Sequence, residues 1–166
     1  DKKNHTSFWQ ETLQKSIDKF ISKKIKISDN PKKFIQFYHP TNISSFRSKT
    51  LFTKEPETIE WLNNYGSNKH CLFDIGANLG LYSIFYAKKF NAQVYAFEPS
   101  YKNLDLMIRN IKLNSLQNNI TVVSNPLTKK YLFSNFYQNN FIAGQAQASF
   151  GNKIAELEKT KTKTQV

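Results

Sequence analysis

Residues 71–80 read CLFDIGANLG, a short apolar run followed at once by a loop bounded by two glycines. The run at 71–75 predicts a buried strand, and the glycines predict a tight turn after it. Apolar residues at helical spacing over 81–87 predict a helix, and the VYAF stretch at 94–97 predicts a second buried strand. The span 71–97 fits a strand–helix–strand unit of about 30 residues, with parallel strands and a right-handed crossover.

The same alternation continues toward the C-terminus. Ser100 can cap a helix that Asn114 ends in a left-handed conformation. Residues 120–123 read ITVV and predict a third strand, and residues 130–137 carry a weaker strand pattern. Strands that alternate with helices are typical of an open α/β sheet. We therefore expect a Rossmann-like, mainly parallel sheet with helices on both faces, truncated relative to a complete fold.

The stretch before this unit predicts further elements. Apolar residues recur at helical spacing from Ser7 to about Ile25, and residues 34–38, FIQFY, predict a strand. Residues 41–54 are expected to be irregular or extended. Pro56 suits the first turn of another helix, which Gly66 ends.

These patterns divide the chain into three parts. Residues 1–54 hold the N-terminal helix and an extended segment, and residues 55–150 form an incomplete Rossmann-like core. Residues 151–166 are polar and expected to be disordered. A length of 166 residues suits one globular domain with one hydrophobic core.

The chain is strongly basic, with 24 Lys and Arg against 12 Asp and Glu and a formal net charge of +12. Such an excess can indicate a nucleic-acid partner. Only Arg47 and Arg109 are arginine, however, although bidentate recognition of phosphate and guanine favours arginine. The Lys-, Asn-, Ile- and Phe-rich composition is also what A/T-biased coding produces. Nucleic acid is therefore not the expected partner, and a basic α/β RNA-binding module or RNA methyltransferase stays an alternative.

Metal and disulfide chemistry have no candidate residues. Cys71 is the single cysteine, which excludes an internal disulfide and a Cys-based metal site, and the three histidines lie at no ligand spacing. There is no secretory signal pattern and no run of about 18 apolar residues. We expect a cytoplasmic protein.

The N-terminal region raises two further expectations. The chain starts at Asp1 and its single methionine is Met107, so the sequence is expected to be part of a longer protein. For the first helix, packing of its apolar face as a lid is favoured over a membrane anchor, although a basic amphipathic helix is compatible with both.

The candidate site lies at the ends of the two buried strands. In an open parallel sheet, ligands bind beyond the carboxyl ends of the strands. Gly76 and Gly80 can let the main chain approach a ligand closely, and the following helix start favours an anion. Glu98 closes the second strand, 22 residues after Gly76. An acidic residue about 20 residues beyond a glycine loop accepts hydrogen bonds from ribose hydroxyls in dinucleotide-type folds.

The glycine spacing excludes two common nucleotide sites. A pyrophosphate cradle for a nicotinamide cofactor requires G-x-G-x-x-G, whereas Gly76 and Gly80 are separated by three residues. A P-loop is also excluded, because no Gly-Lys-Ser or Gly-Lys-Thr follows. The expected ligand is one that has a ribose but does not need the dinucleotide loop.

Two motifs together carry a family resemblance. The stretch FDIGANLGLYS at 73–83, with YAFEPS at 95–100 and Asn103, closely resembles the FkbM-like group of class I S-adenosylmethionine-dependent methyltransferases. The similarity runs from about Glu55 to Leu127, and a weaker similarity continues to Gly151. The pair of motifs is far more specific than a glycine loop alone.

The resemblance implies a cofactor and its binding residues. The amino-acid end of S-adenosylmethionine is expected at Asp74 and the main chain of the glycine loop, the ribose hydroxyls at Glu98, and the adenine near Asn125. The full set implied is Asp74, Gly76, Ala77, Asn78, Gly80, Glu98, Pro99 and Asn125. Members of this family typically methylate hydroxyl groups of sugars or other small metabolites.

Plainer roles are open to the two acidic residues. Asp74 can cap the turn after its strand, and Glu98 can be a surface carboxylate held by Pro99. Cofactor contact is favoured for both because both lie at strand ends.

The chain also departs from the family pattern. Family members continue with a further strand and an Asp-rich loop, whereas only Glu156 and Glu158 are acidic after Asn125. No catalytic residue is therefore predicted. An inactive cofactor-binding remnant is a further alternative.

Overall fold

The computed structural model describes residues 2–27, 33–129, 133–138, 142–146, 148–151 and 162–165. In chain order the elements are α1 (Lys2–Phe20), β1 (Ser22–Lys26), β2 (Phe34–Tyr38), α2 (Asn42–Lys49), α3 (Pro56–Tyr65), β3 (Leu72–Ile75), α4 (Leu81–Phe90), β4 (Val94–Phe97), α5 (Tyr101–Leu113), β5 (Ile120–Val123), β6 (Asn135–Gln138), β7 (Ser149–Phe150) and β8 (Thr162–Gln165).

A three-stranded parallel sheet in the order β3-β4-β5 forms the centre of the molecule. Leu72 pairs with Val94, and Val94 pairs with Ile120. Helices α4 and α5 are the two crossovers between these strands. The predicted α/β class, the strand–helix–strand unit and the third strand are confirmed.

The main core lies on one face of this sheet. Leu72, Val94, Ala96 and Ile120 point into it from the strands, and they are joined by residues of α3, α4, α5 and the β1–β2 hairpin. Among the buried residues of this core are Ile35, Phe37, Ile59, Leu62, Ile84, Phe85, Met107 and Ile111. A single core therefore contains side chains from the predicted N-terminal part, residues 1–54, and from the predicted Rossmann-like part, residues 55–150.

The opposite face of the sheet is apolar and exposed. Phe73 is 60% exposed, Ile75 68% and Tyr95 41%, and the rings of Phe73 and Tyr95 stack with centroids 5.3 Å apart. Parallel strands normally have both faces covered. In the part of the chain that the structure describes, the packed helices are thus on one face, where the sequence pattern predicts both.

An antiparallel hairpin of β1 and β2 precedes the sheet. The predicted strand at 34–38 is confirmed, but the helix predicted to reach residue 25 ends at Phe20. Residues 22–26 instead pair along β2, with Ile25 opposite Ile35. Pairing with β2 outweighs the local helical pattern because the hairpin packs Ile25 beside Ile35 against the core.

Helix α2 replaces the irregular segment that the sequence predicts at 41–54. Thr41 and Ser44 form a reciprocal capping box: the Ser44 N–H donates to the Thr41 hydroxyl at 3.1 Å, and the Thr41 N–H donates to the Ser44 hydroxyl at 3.0 Å. Ser44 and Ser48 are buried. Polar residues fill the inner side of α2, so its sequence lacks the apolar period that identifies a helix.

The end of α5 also differs from its prediction. Asn114 has φ −97°, and the left-handed residue is Ser115 with φ +57°. The Asn114 amide accepts from the Gln36 N–H at 2.8 Å and donates to the Gln36 carbonyl at 2.6 Å. Asn114 therefore ends the helix as its C-cap, as predicted, but in a right-handed conformation, and its side chain joins α5 to the edge of β2.

A second sheet lies near the C-terminus. Strand β6 pairs antiparallel with β7 and with β8. Part of the strand predicted at 130–137 is present as β6, whereas residues 130–132 lie outside the described residues. Residues 162–165 were expected in a disordered tail, but their backbone pairs with β6, because a sheet edge accepts any extended segment.

Candidate functional site

The two predicted motifs lie side by side at the carboxyl edge of the parallel sheet. Ile75 pairs with Phe97, so β3 and β4 end at the same level. The N–H groups of Gly76 and Ala77 both donate to the Phe97 carbonyl at 2.9 Å. This pairing brings the glycine loop against the residue that follows β4, Glu98.

The loop between β3 and α4 has a left-handed backbone at three positions. The φ angles are +79° at Gly76, +53° at Asn78 and +76° at Gly80. A Cβ on Gly76 would have open space, whereas a Cβ on Gly80 would lie 2.9 Å from the Met107 Cγ. The left-handed backbone favours glycine at both positions, and at Gly80 the packing against α5 also leaves no room for a side chain.

Glu98 is a buried carboxylate with backbone partners. It is 6% exposed. Its Oε2 accepts from the Asn78 N–H at 2.9 Å, and its Oε1 accepts from the Ser100 N–H at 2.8 Å. Burial raises the pKa of Glu98, while the N–H groups of Ser100 and Asn78, the Asn103 amide and the charge of Arg47 oppose the increase. The carboxylate thus links the ends of both strands.

Asp74 has a different set of contacts. Its Oδ2 accepts from the Ser83 N–H at 3.1 Å and from the Ser83 hydroxyl at 2.5 Å. Ser83 lies in the first turn of α4, whose N-cap residue is Gly80 and has no side chain to bond this N–H. Burial raises the pKa of Asp74, and the two Ser83 donors oppose the increase. The observed contacts are those of a helix cap, and its cofactor contact stays a prediction.

A cavity of about 430 Å³ opens at these strand ends. Five of the eight predicted site residues line it: Gly76, Asn78, Glu98, Pro99 and Asn125. The other three, Asp74, Ala77 and Gly80, are absent from its lining, and Ala77 contributes to a smaller cavity of about 140 Å³ behind the loop. The larger volume falls in the range of roughly 300–1,000 Å³ that is usual for small-molecule sites.

The lining contains further residues that are not among the eight predicted site residues, although Ile75, Phe97 and Asn103 belong to the two sequence motifs. They are Ile75, Phe97, Asn103, Pro126, Leu127, Thr128, Phe136, Gln145, Ala146, Ala148, Ser149 and Phe150. Most are apolar, with a few amides and hydroxyls among them. This mixture suits an organic ligand that has an apolar ring and several polar groups.

Residues 142–146, which we call the strap, pass over the glycine loop and the start of α5. The Arg47 Nε donates to the Gly144 carbonyl, and the Gly144 N–H donates to the Asn103 Oδ1 at 2.8 Å. The Thr41 hydroxyl donates to the Ala143 carbonyl at 3.2 Å. Helix α2 with its N-cap residue, and helix α5, therefore hold the strap by its backbone.

Asn78 and Asn103 both bond the same strap carbonyl. Their Nδ2 groups donate to the Gln145 oxygen at 3.0 and 3.1 Å. The Asn78 Oδ1 is buried and has no hydrogen-bond partner among the described residues. A buried acceptor without a partner is costly and points to a donor from a ligand. Sequence reasoning missed the strap because its partners are 41 to 102 residues away.

Potential metal ligands are scattered in the part of the chain that the structure describes. No group of three or more His, Cys, Asp or Glu side chains lies together there. The two ion pairs found among these residues, Lys54–Glu55 and Arg109–Asp105, are both partly exposed.

No protein-family model and no curated protein matches the chain. Several solved structures show partial similarity. Precorrin-6y C5,15-methyltransferase from Geobacter metallireducens is 25% identical, with a TM-score of 0.40 over 46% of this chain and 42% of that one. Methanocaldococcus jannaschii Trm5 in complex with adenosine is 19% identical, with a TM-score of 0.36 over 63% of this chain and 29% of that one.

A complex of aTrm5 with tRNALeu is also similar. It is 18% identical, with a TM-score of 0.37 over 55% of this chain and 25% of that one. The chain spans less than half the length of each of these three structures.

Proposed function

We propose that the chain binds S-adenosylmethionine in the cavity beside Glu98 and is the cofactor-binding part of a methyltransferase. The observation that carries this proposal is the buried Glu98 carboxylate, which faces a cavity of about 430 Å³ next to a glycine loop. A carboxylate and a close-approach loop at adjacent parallel strand ends are the arrangement that binds an adenosyl ribose.

The donors and acceptors in the cavity fit this ligand. An ionised carboxylate offers about four lone-pair sites, so the backbone bonds from Asn78 and Ser100 do not exhaust Glu98. Ribose hydroxyls are donors of the kind that it can accept. The unpartnered Asn78 Oδ1 is a second acceptor for the same ligand. Asn125 with Pro126 offers an amide and an apolar surface for the adenine.

The bound cofactor would supply a methyl group carried on a sulfonium. The residues of this chain bind and orient it. Glu98 holds the ribose, the Gly76 backbone leaves room for close approach, and Asp74 braces the loop by bonding Ser83 at the start of α4. Gln145 and Ala146 of the strap form one wall of the site.

For the acceptor, our proposal is a hydroxyl group of a sugar or another small metabolite, as the FkbM-like resemblance implies. The net charge of +12 favours RNA as the alternative acceptor. An RNA gel shift at low salt distinguishes the two, because phosphate-driven binding weakens steeply as salt is raised. Absence of a shift supports the small-molecule acceptor, and a salt-sensitive shift supports RNA.

Titration calorimetry with S-adenosylmethionine tests the proposal directly. The Glu98→Ala variant loses charge-assisted hydrogen bonds to the ribose, and its affinity for the cofactor should fall by about tenfold or more. Glu60→Ala, on the exposed side of α3, is the matched control and should bind like the wild type. Equal affinities for wild type and Glu98→Ala, or no binding by the wild type, would contradict the proposal.

A further inference from the structure

Helix α1 exposes a stripe of large apolar side chains. Trp9 is 64% exposed, Leu13 62%, Ile17 42% and Phe20 88%. Their spacing of four, four and three residues places them along one side of the helix. The lid packing expected from the sequence is thus not found for these residues.

Positive charge accompanies the stripe. Residues 2–26 contain seven lysines against Glu11 and Asp18. Three of these lysines, Lys23, Lys24 and Lys26, are exposed on β1, immediately after the helix. A helix that has an aromatic and aliphatic side and a lysine-rich surrounding sequence is typical of segments that lie in a membrane interface.

We propose that α1 docks on the surface of a membrane that contains anionic lipids, with the Trp9–Phe20 stripe inserted among the acyl chains and the lysines at the headgroups. No helix among the described residues is long and apolar enough to cross a bilayer. The helix therefore lies along the surface. This docking is independent of the cofactor proposal, because α1 contributes no residue to the Glu98 cavity.

The positive charge and the apolar stripe together favour an anionic membrane over two other partners, a second copy of the chain and RNA. A second copy of α1 would cover the apolar side chains but would bring two positively charged segments together. RNA would attract the lysines and its bases could stack on Trp9 and Phe20, but it offers no aliphatic surface for Leu13 and Ile17. An anionic bilayer satisfies both features, since its headgroups attract lysine and its acyl boundary accepts the stripe.

Vesicle binding of the full chain tests this docking. The background is Trp61→Phe, which leaves Trp9 as the single tryptophan. Vesicles of equal parts phosphatidylcholine and phosphatidylserine should shift the Trp9 emission to the blue, and partition should be about tenfold higher than on phosphatidylcholine alone. Added salt should lower the partition, because it screens the lysines.

A pair of variants separates insertion from simple charge attraction. Leu13→Gln with Ile17→Gln should lower partition by about tenfold or more, because two inserted side chains become polar. Ile108→Gln, at an apolar site 52% exposed on α5, is the control and should leave partition unchanged. Urea unfolding of all variants checks that the fold is kept.

Two results would overturn the docking proposal. One is equal vesicle partition for the wild type and the Leu13/Ile17 double variant. The other is a dimer in size-exclusion chromatography that the double variant abolishes, with no vesicle binding, which would assign the stripe to a second copy. Calorimetry with S-adenosylmethionine on the same variants should be unchanged, so failure of the docking and failure of the cofactor proposal are distinguishable.

Discussion

The Glu98 carboxylate is buried. Its direct hydrogen-bond partners are backbone N–H groups rather than a positively charged side chain. The donors are Asn78 and Ser100, and Arg47 acts on it at longer range. Burial nevertheless prevails and raises the pKa of Glu98. The ionised form of Glu98 is therefore held at a cost to the stability of the folded protein.

The pH dependence of stability should reveal this cost. A group whose folded pKa is raised contributes stability below its unfolded pKa, about 4.3 for glutamate, and loses it as the pH rises through the folded pKa. The wild type should therefore become less stable relative to Glu98→Gln as the pH rises from about 4 to 7. Urea unfolding of both proteins across this pH window measures the difference. A difference that is flat, or that has the opposite slope, would contradict the raised pKa.

Gly76 and Gly80 should respond differently to the same substitution. Gly76→Ala meets no neighbour and should cost about 1–2 kcal/mol for the left-handed backbone, yet its Cβ enters the cavity and should weaken cofactor binding. Gly80→Ala also presses on Met107 and should cost roughly 2–5 kcal/mol. Urea unfolding and calorimetry give the two readouts. Similar losses of stability at both glycines would show that the packing argument is wrong.

At the scale of elements, α5 and β2 are joined by amide side chains. Asn110 is fully buried: its Oδ1 accepts from the Tyr38 N–H at 2.9 Å, and its Nδ2 donates to the Leu79 carbonyl at 3.0 Å. Asn114 bonds the next residue along the same edge, Gln36. These amides satisfy the edge of β2 and tie the hairpin to the glycine loop.

Asn110→Ala should therefore be strongly destabilising. It leaves the Tyr38 N–H and the Leu79 carbonyl buried without partners, at about 1–3 kcal/mol each. Urea unfolding should show a loss of roughly 2–5 kcal/mol for this variant. Asn118→Ala, at an exposed position, is the control and should stay within about 0.5 kcal/mol of the wild type. A small effect at Asn110 would mean that water replaces its amide.

At the scale of the whole molecule, the apolar side chains of the parallel sheet divide into a packed face and an exposed face. Phe85→Ala empties a fully packed position and should cost about 3–5 kcal/mol. Phe73→Ala, on the exposed face, should cost less than about 1 kcal/mol, because Phe73 is 60% exposed and stacks at the surface on Tyr95 and Phe97. The comparison uses urea unfolding. Equal losses would show that the outer face is covered in solution.

The sequence by itself determined the elements that local chemistry controls. Strands β3, β4 and β5, helix α3 from Pro56 and the glycine loop follow from apolar period, proline and glycine, which act over a few residues. The adjacency of the loop and Glu98 also follows, because parallel strands joined by a right-handed crossover end at the same edge.

Only the tertiary structure decided which groups meet across the chain. The strap over Asn78, the pairing of β1 with β2 and the exposure of the α1 stripe leave no local pattern. For Asp74 the sequence left two roles open, and only the structure shows the bond to Ser83. The physical reason is that apolar period records only that a side chain is to be buried. Which residues that side chain contacts depends on hydrogen bonds and packing between segments that are distant in sequence. Those contacts form only when the chain folds.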